Sequence, residues 1–450
     1  MSRKIRLNQP GLARPCRWTF LPNFRLRLLI NNGKNYFSIY PAMNILYICE
    51  EYPPGKIGGI GTMVNVLGRE LVKQGHNVYT VGLYPHGYKQ AGYEEDHGVK
   101  VWRLRYMSDR GLIRNNYSVT DLFFRRCLKY SSLLHWDTEI SSKKLFTFIK
   151  KIVEQYHIDV IEMPDWNTFL HNSLTAIHVP EFNIPLVVKL HGSHSYSRKE
   201  MNNPLHKRIF RAEKNLLNRA DAVSAVSQYT ARETKKLFGL TKDFSVLYNS
   251  INTRLVSMTE KVDTKVIFTG TLIQSKGIHS LLTAWNLVKR RNPSVTLHVF
   301  GKGPVKELKK ILDKKASDSV CFYGHVSRER LLDELATAAV AVFPSYSECF
   351  SLAPLEAMAA GCAVIYTVKS SGPELIVDGE NGLLINPDDI EGIAKAINLL
   401  VEDREFRQKI AGAGKKTVSD RFDITHSVQQ HIVFYNEVIN EFNKKKTRSF

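Results

Sequence analysis

Residues 43–83 read MNILYICEEYPPGKIGGIGTMVNVLGRELVKQGHNVYTVGL. Positions 44–49 form an apolar run of strand length, followed by a loop with several glycines. From Ile60 the apolar positions 60, 63, 64, 67 and 71 fall on one face of a 3.6-residue helix. Gly75 is a helix stop signal, and 77–83 is the next strand-like run. Strand, helix, strand in this order is a βαβ unit, and its crossover requires a parallel sheet. Further strands are expected at 160–163, 186–190 and 222–225, and this half ends near Leu247.

A second series begins at Val266, where VIFTG reads as a strand. A loop, a helix at 278–289, a strand at 295–300 and a glycine turn follow. After another helix come strands at 320–323 and 339–343, with a helix between them. A helix over 352–360 stops at Gly361, and CAVIYT is the next strand. The fold class expected is α/β, with two doubly wound Rossmann-like domains. Such sheets bind ligands at the carboxyl ends of their strands, so two facing domains would hold a ligand in the cleft between them. The amphipathic stretch 423–443 is expected to return and brace the first domain.

The composition is that of an ordinary globular protein. Of 450 residues, 43% are hydrophobic and 24% charged, which excludes a disordered or collagen-like chain. No run of about 18 apolar residues occurs, and 24–30 is a weak apolar patch broken by arginines, so neither a membrane span nor a signal peptide is expected. None of the six cysteines is spaced C-x-x-C, which argues against a zinc ribbon or redox dithiol and for buried, reduced thiols. The net charge is +20, of which residues 1–42 supply +8 with no acidic residue, leaving +12 for the rest. That segment reads as a lipid- or nucleic-acid-seeking tail, as a transit peptide, or as sequence upstream of a true start at Met43; the last is the expectation. Two further basic stretches, 122–130 (LFFRRCLKY) and 196–219, read as solvated helix faces or as amphipathic helices on anionic lipid. No nucleic-acid-binding motif accompanies the charge.

Three loops carry the chemistry. The first, 50–61, places Gly58 and Gly59 between a strand end and a helix N-terminus, where a backbone approaches an anion closely. The second, 270–277, runs from Gly270 and Thr271 to Lys276, whose ammonium can reach a phosphate at a cleft. The third, PSYSECFSLAPLE at 344–356, sets Glu348 before a helix and Glu356 on it, two carboxylates suited to paired sugar hydroxyls. The intervening backbone N–H groups of Phe350, Ser351 and Leu352 open that helix and can hold a phosphate. His191, at the end of VVKLHG, can donate to a hydroxyl, with a structural histidine an equal reading; His194 is a weaker candidate of the same kind. No D-x-D triplet or His/Cys/carboxylate metal cluster occurs, no metal or other cofactor is expected, and Asp388-Asp389 reads as a structural turn.

These stretches together resemble the retaining glycosyltransferases of family four. GTLIQSKGIHSLLTA, LHVFGKGP, FYGHVSRERLLDELATA, PSYSECFSLAPLEAMAAGCAVI and GPELIVDGENGLLINP are similar to its nucleotide-sugar half. EYPPGKIGGIGTMVNVLGRELVKQGHNVYTVG, VVKLHG, ADAVSAVSQYTARE and VLYNSIN are similar to its acceptor half. The resemblance implies a GT-B fold, with 43–248 the acceptor-binding domain, 249–422 the nucleotide-sugar-binding domain and 423–450 a helix packing back on the first. It implies a nucleoside diphosphate sugar donor, UDP- or GDP-linked, and a saccharide or lipid-linked acceptor, with retention at the anomeric carbon. Glu356 would hold the ribose, Glu348 and its helix start the donor sugar and diphosphate, and Lys276 the leaving diphosphate. Gly58 and Gly59 would close against that diphosphate, and His191 would touch the sugar. Thr271 stands where the family carries Arg, so a second diphosphate cation is missing or comes from elsewhere. Cys349 and Ser351 stand at frequent glycines, where side chains crowd or tune the sugar. The expected setting is cell-envelope polysaccharide or glycolipid synthesis in the cytoplasm, with a peripheral position on an anionic membrane face as an option and no nucleic-acid partner. The alternatives are a glycogen-synthase-like glucosyltransferase, suggested by KIGGI, a nucleotide-sugar epimerase, and an inactive nucleotide-sugar-binding homologue.

Overall fold

A computed structural model describes residues 41–54, 58–84, 90–106, 133–173, 177–255 and 259–448. The segment 1–40, the LFFRRCLKY stretch and positions 55–57 of the first glycine loop lie outside the described residues.

Eight strands build the first sheet: β1 (Asn44–Ile48), β2 (Asn77–Tyr84), β3 (Tyr93–Asp96), β4 (Val99–Arg105), β5 (Val160–Pro164), β6 (Leu186–Leu190), β7 (Ala222–Ala225) and β8 (Ser245–Val246). Their order is β3-β4-β2-β1-β5-β6-β7-β8, parallel except for the β3–β4 hairpin. The second sheet holds β9 (Val262–Thr269), β10 (Thr296–Phe300), β11 (Val320–Gly324), β12 (Ala338–Phe343), β13 (Ala363–Thr367) and β14 (Leu383–Ile385). Its order is β11-β10-β9-β12-β13-β14, all parallel. Central strands such as β1, β6, β12 and β13 are buried almost throughout because helices cover both faces.

The helices used below are α1 (Gly59–Lys73), α2 (Leu133–Tyr156), α3 (Thr168–Asn172), α4 (His194–Glu200), α5 (Lys207–Arg219), α6 (Gln228–Phe238), α7 (Ile278–Arg291), α8 (Arg328–Thr337), α9 (Leu352–Ala359), α10 (Ile390–Glu402), α11 (Arg404–Arg421) and α12 (Ile424–Arg448). In α1 the expected stripe is buried through Met63, Val64, Leu67 and Leu71.

In each sheet the chain order reverses beside its first strand. The two switch points lie between β1 and β5 and between β9 and β12. The loops leaving these four strands are therefore the ones that splay apart to admit a ligand.

The final helix does return to the first half. Ile424, Val428, Ile432 and Tyr435 of α12 join a core with Met63, Leu67 and strand β1. A buried polar network pins it there: the Tyr435 hydroxyl donates to Glu162 Oε2 at 2.8 Å and lies 3.0 Å from the Tyr47 hydroxyl. His431 Nδ1 is 2.8 Å from the Ser427 carbonyl, and Nε2 is 2.7 Å from Lys189 Nζ. The Nδ1 proton thus goes to the carbonyl and Nε2 accepts from the lysine.

Several expectations change. The basic stretch 196–219 is two helices, α4 and α5, separated at 201–206. The apolar side of α5 (Ile209, Ala212, Leu216, Leu217) is buried in its own domain, so that side is not free to lie on lipid. The second series starts at Val262, since β9 extends beyond the apolar core of the run. Beyond Phe422 the C-terminal helix runs to Arg448, and α11 precedes it as a separate helix. Cys49 and Cys362 are buried free thiols, but Cys321 is exposed because β11 is an edge strand.

Candidate active site

Two of the three loops predicted from sequence meet at the second switch point. The loop after β9 turns through Gly277 at φ +71°, and a Cβ there would lie 1.7 Å from the Pro344 carbonyl oxygen. Only glycine permits that approach. The Tyr346 amide donates to the Ser275 carbonyl at 2.8 Å, tying the loop after β12 to the loop after β9.

This junction places Lys276 against Glu348. Lys276 Nζ is 2.9 Å from both carboxylate oxygens, and Ser345 Oγ donates to Oε1 at 2.8 Å. Glu348 is 7% exposed, so a surface-charge role for it is excluded. Glu356 lies on α9 and is also buried. Burial pushes its carboxyl above the ordinary range, and the Arg328 guanidinium, 2.8 Å from Oε1, works against that. Arg328, the first residue of α8, was not singled out in the sequence; its signal is only a basic residue after a serine N-cap.

Ser351 is the N-cap of α9 and makes no side-chain cap bond, leaving the first amides to other partners. Leu352 is the first helical residue. Phe350 is buried against Tyr248 and Phe422, and its carbonyl accepts from Asn249 Nδ2 at 2.8 Å. Gly270 has φ +149°, and Thr271 beside it is exposed.

In the first half, Gly58 is the N-cap of α1 and Gly59 its first residue. A Cβ on Gly58 would lie 2.0 Å from Glu51 Oε2, whereas one on Gly59 would meet nothing within 4 Å. His191 follows β6. Burial first, and then the nearby Lys189, pulls its imidazole down to about 3, so it is neutral at physiological pH. Asp165, after β5, fixes this turn: Oδ1 accepts from the His191 amide at 2.8 Å and Oδ2 from the Gly192 amide at 3.2 Å. Burial pushes the Asp165 carboxyl up to about 7 despite these bonds. Asp165 was missed in the sequence because one aspartate after a strand carries no pattern.

Cys349 packs against the other half: a Cβ on Gly192, at φ +98°, would lie 2.4 Å from its Sγ. Cys349 is a contact between the halves. Its carbonyl accepts from Thr230 Oγ1 at 3.3 Å. A second contact between the halves centres on Glu374, which follows β13 and accepts from the amides of Gln228 and Tyr229 at 2.8 and 2.7 Å and from the Tyr248 hydroxyl at 2.9 Å. Asp388 and Asp389 are structural, as expected: Asp389 caps α10 and Asp388 pairs with Lys369. Among the described residues no group of three or more His, Cys, Asp or Glu is arranged to hold a metal ion, and no helix is long and apolar enough to cross a membrane.

Comparisons with known proteins bear on the family and the fold. The family model "Glycosyl transferases group 1" matches residues 255–417, and "Glycosyltransferase Family 4" matches 57–255. A glycogen synthase of Mycobacterium tuberculosis is 26% identical over 396 residues, covering 85% of this chain and 91% of the relative. An N-acetyl-alpha-D-glucosaminyl L-malate synthase of Bacillus anthracis is 24% identical over 421 residues, covering 87% and 96%. Among solved structures, sucrose-phosphate synthase from Thermosynechococcus elongatus superposes with a TM-score of 0.70 at 20% identity, covering 89% of this chain and all of that one. HepE from Anabaena, in complex with UDP and glucose, gives 0.63 at 20%, covering 88% and all of that chain. With the two matched regions together spanning 57–417 and a GT-B architecture, the chain belongs to the group 1 glycosyltransferases of family-four type.

Proposed function

We infer that this glycosyltransferase moves a hexose, with retention, from a UDP- or GDP-sugar to a saccharide or lipid-linked acceptor of cell-envelope polysaccharide or glycolipid synthesis. The observation that carries the reading is the Lys276–Glu348 pair, held at the switch point of the second sheet by Gly277, Ser345 and Tyr346. In the ligand-free protein these two charges satisfy each other. A diphosphate arriving at the junction would take Lys276, and the freed Glu348 carboxylate would accept from sugar hydroxyls.

The residue roles follow from that exchange. Glu356 accepts from the ribose hydroxyls, with Arg328 helping to keep it ionised. The amides at the start of α9, at Ser351 and Leu352 after Phe350, face the diphosphate, with Gly270 and Thr271 bordering it. Gly59, which has open space at its Cβ position, and Gly58 close from the other half, and neutral His191 donates to the sugar. The bond from the anomeric carbon to the leaving phosphate oxygen breaks as the acceptor oxygen bonds to the same face, and the acceptor proton passes to the leaving phosphate. Such a step needs charge stabilisation and positioning more than a strong protein base. Lys276 and the helix start supply that charge without a metal. The UDP and glucose in the HepE complex support the donor class.

A glucosyltransferase of the glycogen-synthase type is the second reading, favoured by the match along 91% of the mycobacterial relative. Thermal shifts with millimolar UDP, GDP and ADP test the donor: a shift with one base, lost in Lys276→Ala, is expected. Saturation 100-fold over Kd corresponds to about 2.7 kcal/mol. Glu348→Ala should abolish transfer with the fold retained, and unchanged turnover would sink the assignment. Maltooligosaccharide as an efficient acceptor would move the second reading to the front.

A further inference from the structure

The first half carries a cluster of titratable groups that the donor site does not use. Trp166 follows β5, and its ring meets that of His171 edge-on, centroids 4.8 Å apart at 81°. His194 opens α4, 5.4 Å from the His171 ring and 6.1 Å from Trp166. His206, the N-cap of α5, stacks on His194 at 5.4 Å and 30°. Three imidazoles therefore pack in a row against one indole.

One buried carboxylate, Glu213, lies beside His171 and the start of α4. Glu213 Oε1 accepts from the His194 amide at 2.8 Å and lies 3.3 Å from His171 Nε2; Oε2 accepts from the Ser195 amide at 3.1 Å. Its capacity is largely taken by backbone and His171, and His194 Nδ1 is buried without a hydrogen-bond partner among the described residues. Apart from Glu213, the charged groups acting on His194 are cationic. Arg208 Nη2 donates to the His171 carbonyl at 3.3 Å, and Arg198 acts on His194 from the same helix. Burial, then the His171 ring, lowers the His194 imidazole, with Glu213 opposing and His206 and Arg198 adding to the fall. An arriving anion would reverse that balance, because it stabilises the charged imidazole.

The position is that of a second substrate. Trp166 and His194 lie at the carboxyl ends of β5 and β6. Asp165, next to Trp166, fixes the turn whose Gly192 packs on Cys349, the neighbour of Glu348. We propose that Trp166, His171, His194 and His206 form an acceptor-side subsite for an anionic group, a phosphate or carboxylate carried by the acceptor, with the indole as its apolar wall. The word acceptor rests on the transfer reading above; the anion site stands without it.

The test is a histidine Cε1–H NMR titration of the full chain near pH 6.5, lines assigned with His171→Gln, His194→Gln and His206→Gln. The probes are inorganic phosphate and sodium glucuronate, with glucose and sodium chloride at matched ionic strength as controls. Saturable shifts of the His194 and His206 lines with a raised titration midpoint are expected. A response to phosphate alone points to a phosphate-bearing acceptor, one to glucuronate alone to an acidic sugar. No response to either anion at tens of millimolar, or an equal response to sodium chloride, overturns the proposal. UDP binding in the same wild-type samples separates the readings: histidine shifts without UDP binding refute the donor assignment and leave the anion site standing.

Discussion

Replacing Lys276 by methionine keeps most of the side chain's bulk and removes the charge that meets both oxygens of Glu348. Two unit charges about 4 Å apart attract by about 4 kcal/mol at an effective dielectric of about 20. The Lys276 side chain is 31% exposed, whereas that of Glu348 is 7% exposed. Solvent therefore screens the pair, and a net cost of about 1–2 kcal/mol is expected. Ser345 still donates to Glu348, which keeps the loss below the roughly 3–5 kcal/mol of an orphaned buried charge. Adding Glu348→Gln removes that charge, so the double variant should regain most of the stability, with a coupling of about 1 kcal/mol or more. It should not regain transfer, since both the diphosphate cation and the sugar-facing carboxylate are gone. The assay is the urea midpoint at constant slope for both single variants and the double variant, with transfer measured in parallel. An unchanged midpoint in Lys276→Met, or simple additivity in the double variant, would refute the idea that the pair holds this junction. Transfer restored in the double variant would refute its chemical role.

Gly192→Ala should destabilise by about 2–4 kcal/mol, combining a positive φ with a collision at Cys349 Sγ. Adding Cys349→Gly should return the collision part only, and full recovery in unfolding measurements would mean that backbone strain contributes nothing. The raised Asp165 carboxyl gives a sign to pH dependence: the folded chain keeps a proton that the unfolded chain releases, so this contribution is full below about pH 4 and lost as pH rises to about 7. Asp165→Asn should flatten the stability profile across that window; an unaltered slope would refute the burial account. Arg328→Met should let burial raise the Glu356 carboxyl further, so that UDP affinity falls at a higher pH than in the wild type. Matching affinity profiles by calorimetry would remove Arg328 from the site.

What was legible in the sequence follows from period and position. The α1 stripe and the largely apolar runs of β1, β6, β12 and β13 are properties of single segments, so they can be read before any contact is known. The hairpin β3–β4 escaped because β3 is a four-residue polar edge strand and β4 mixes apolar with polar residues. Helices α4 and α5 were merged because a break at 201–206 interrupts charge no more than it interrupts polarity. Glu348 and Lys276 were legible as polar residues in strand-end loops, and Glu356 as a helix carboxylate among alanine, leucine and proline. Arg328, Asp165, Ser345 and Glu374 were not, because each acquires meaning only from a partner between 3 and about 150 positions away.

The sequence by itself determined two series of βα units, the loops that end their strands, and a family whose chemistry those loops carry. Local periodicity and steric limits on glycine turns act within a few residues, so one chain segment suffices to reveal them. Only the tertiary structure decided that Lys276 rests on Glu348, that Cys349 faces Gly192 of the other half, and that Trp166 and three histidines pack together beside Glu213. Those are distances between segments brought together by strand order, and strand order is set by which faces bury together, a property of the whole chain.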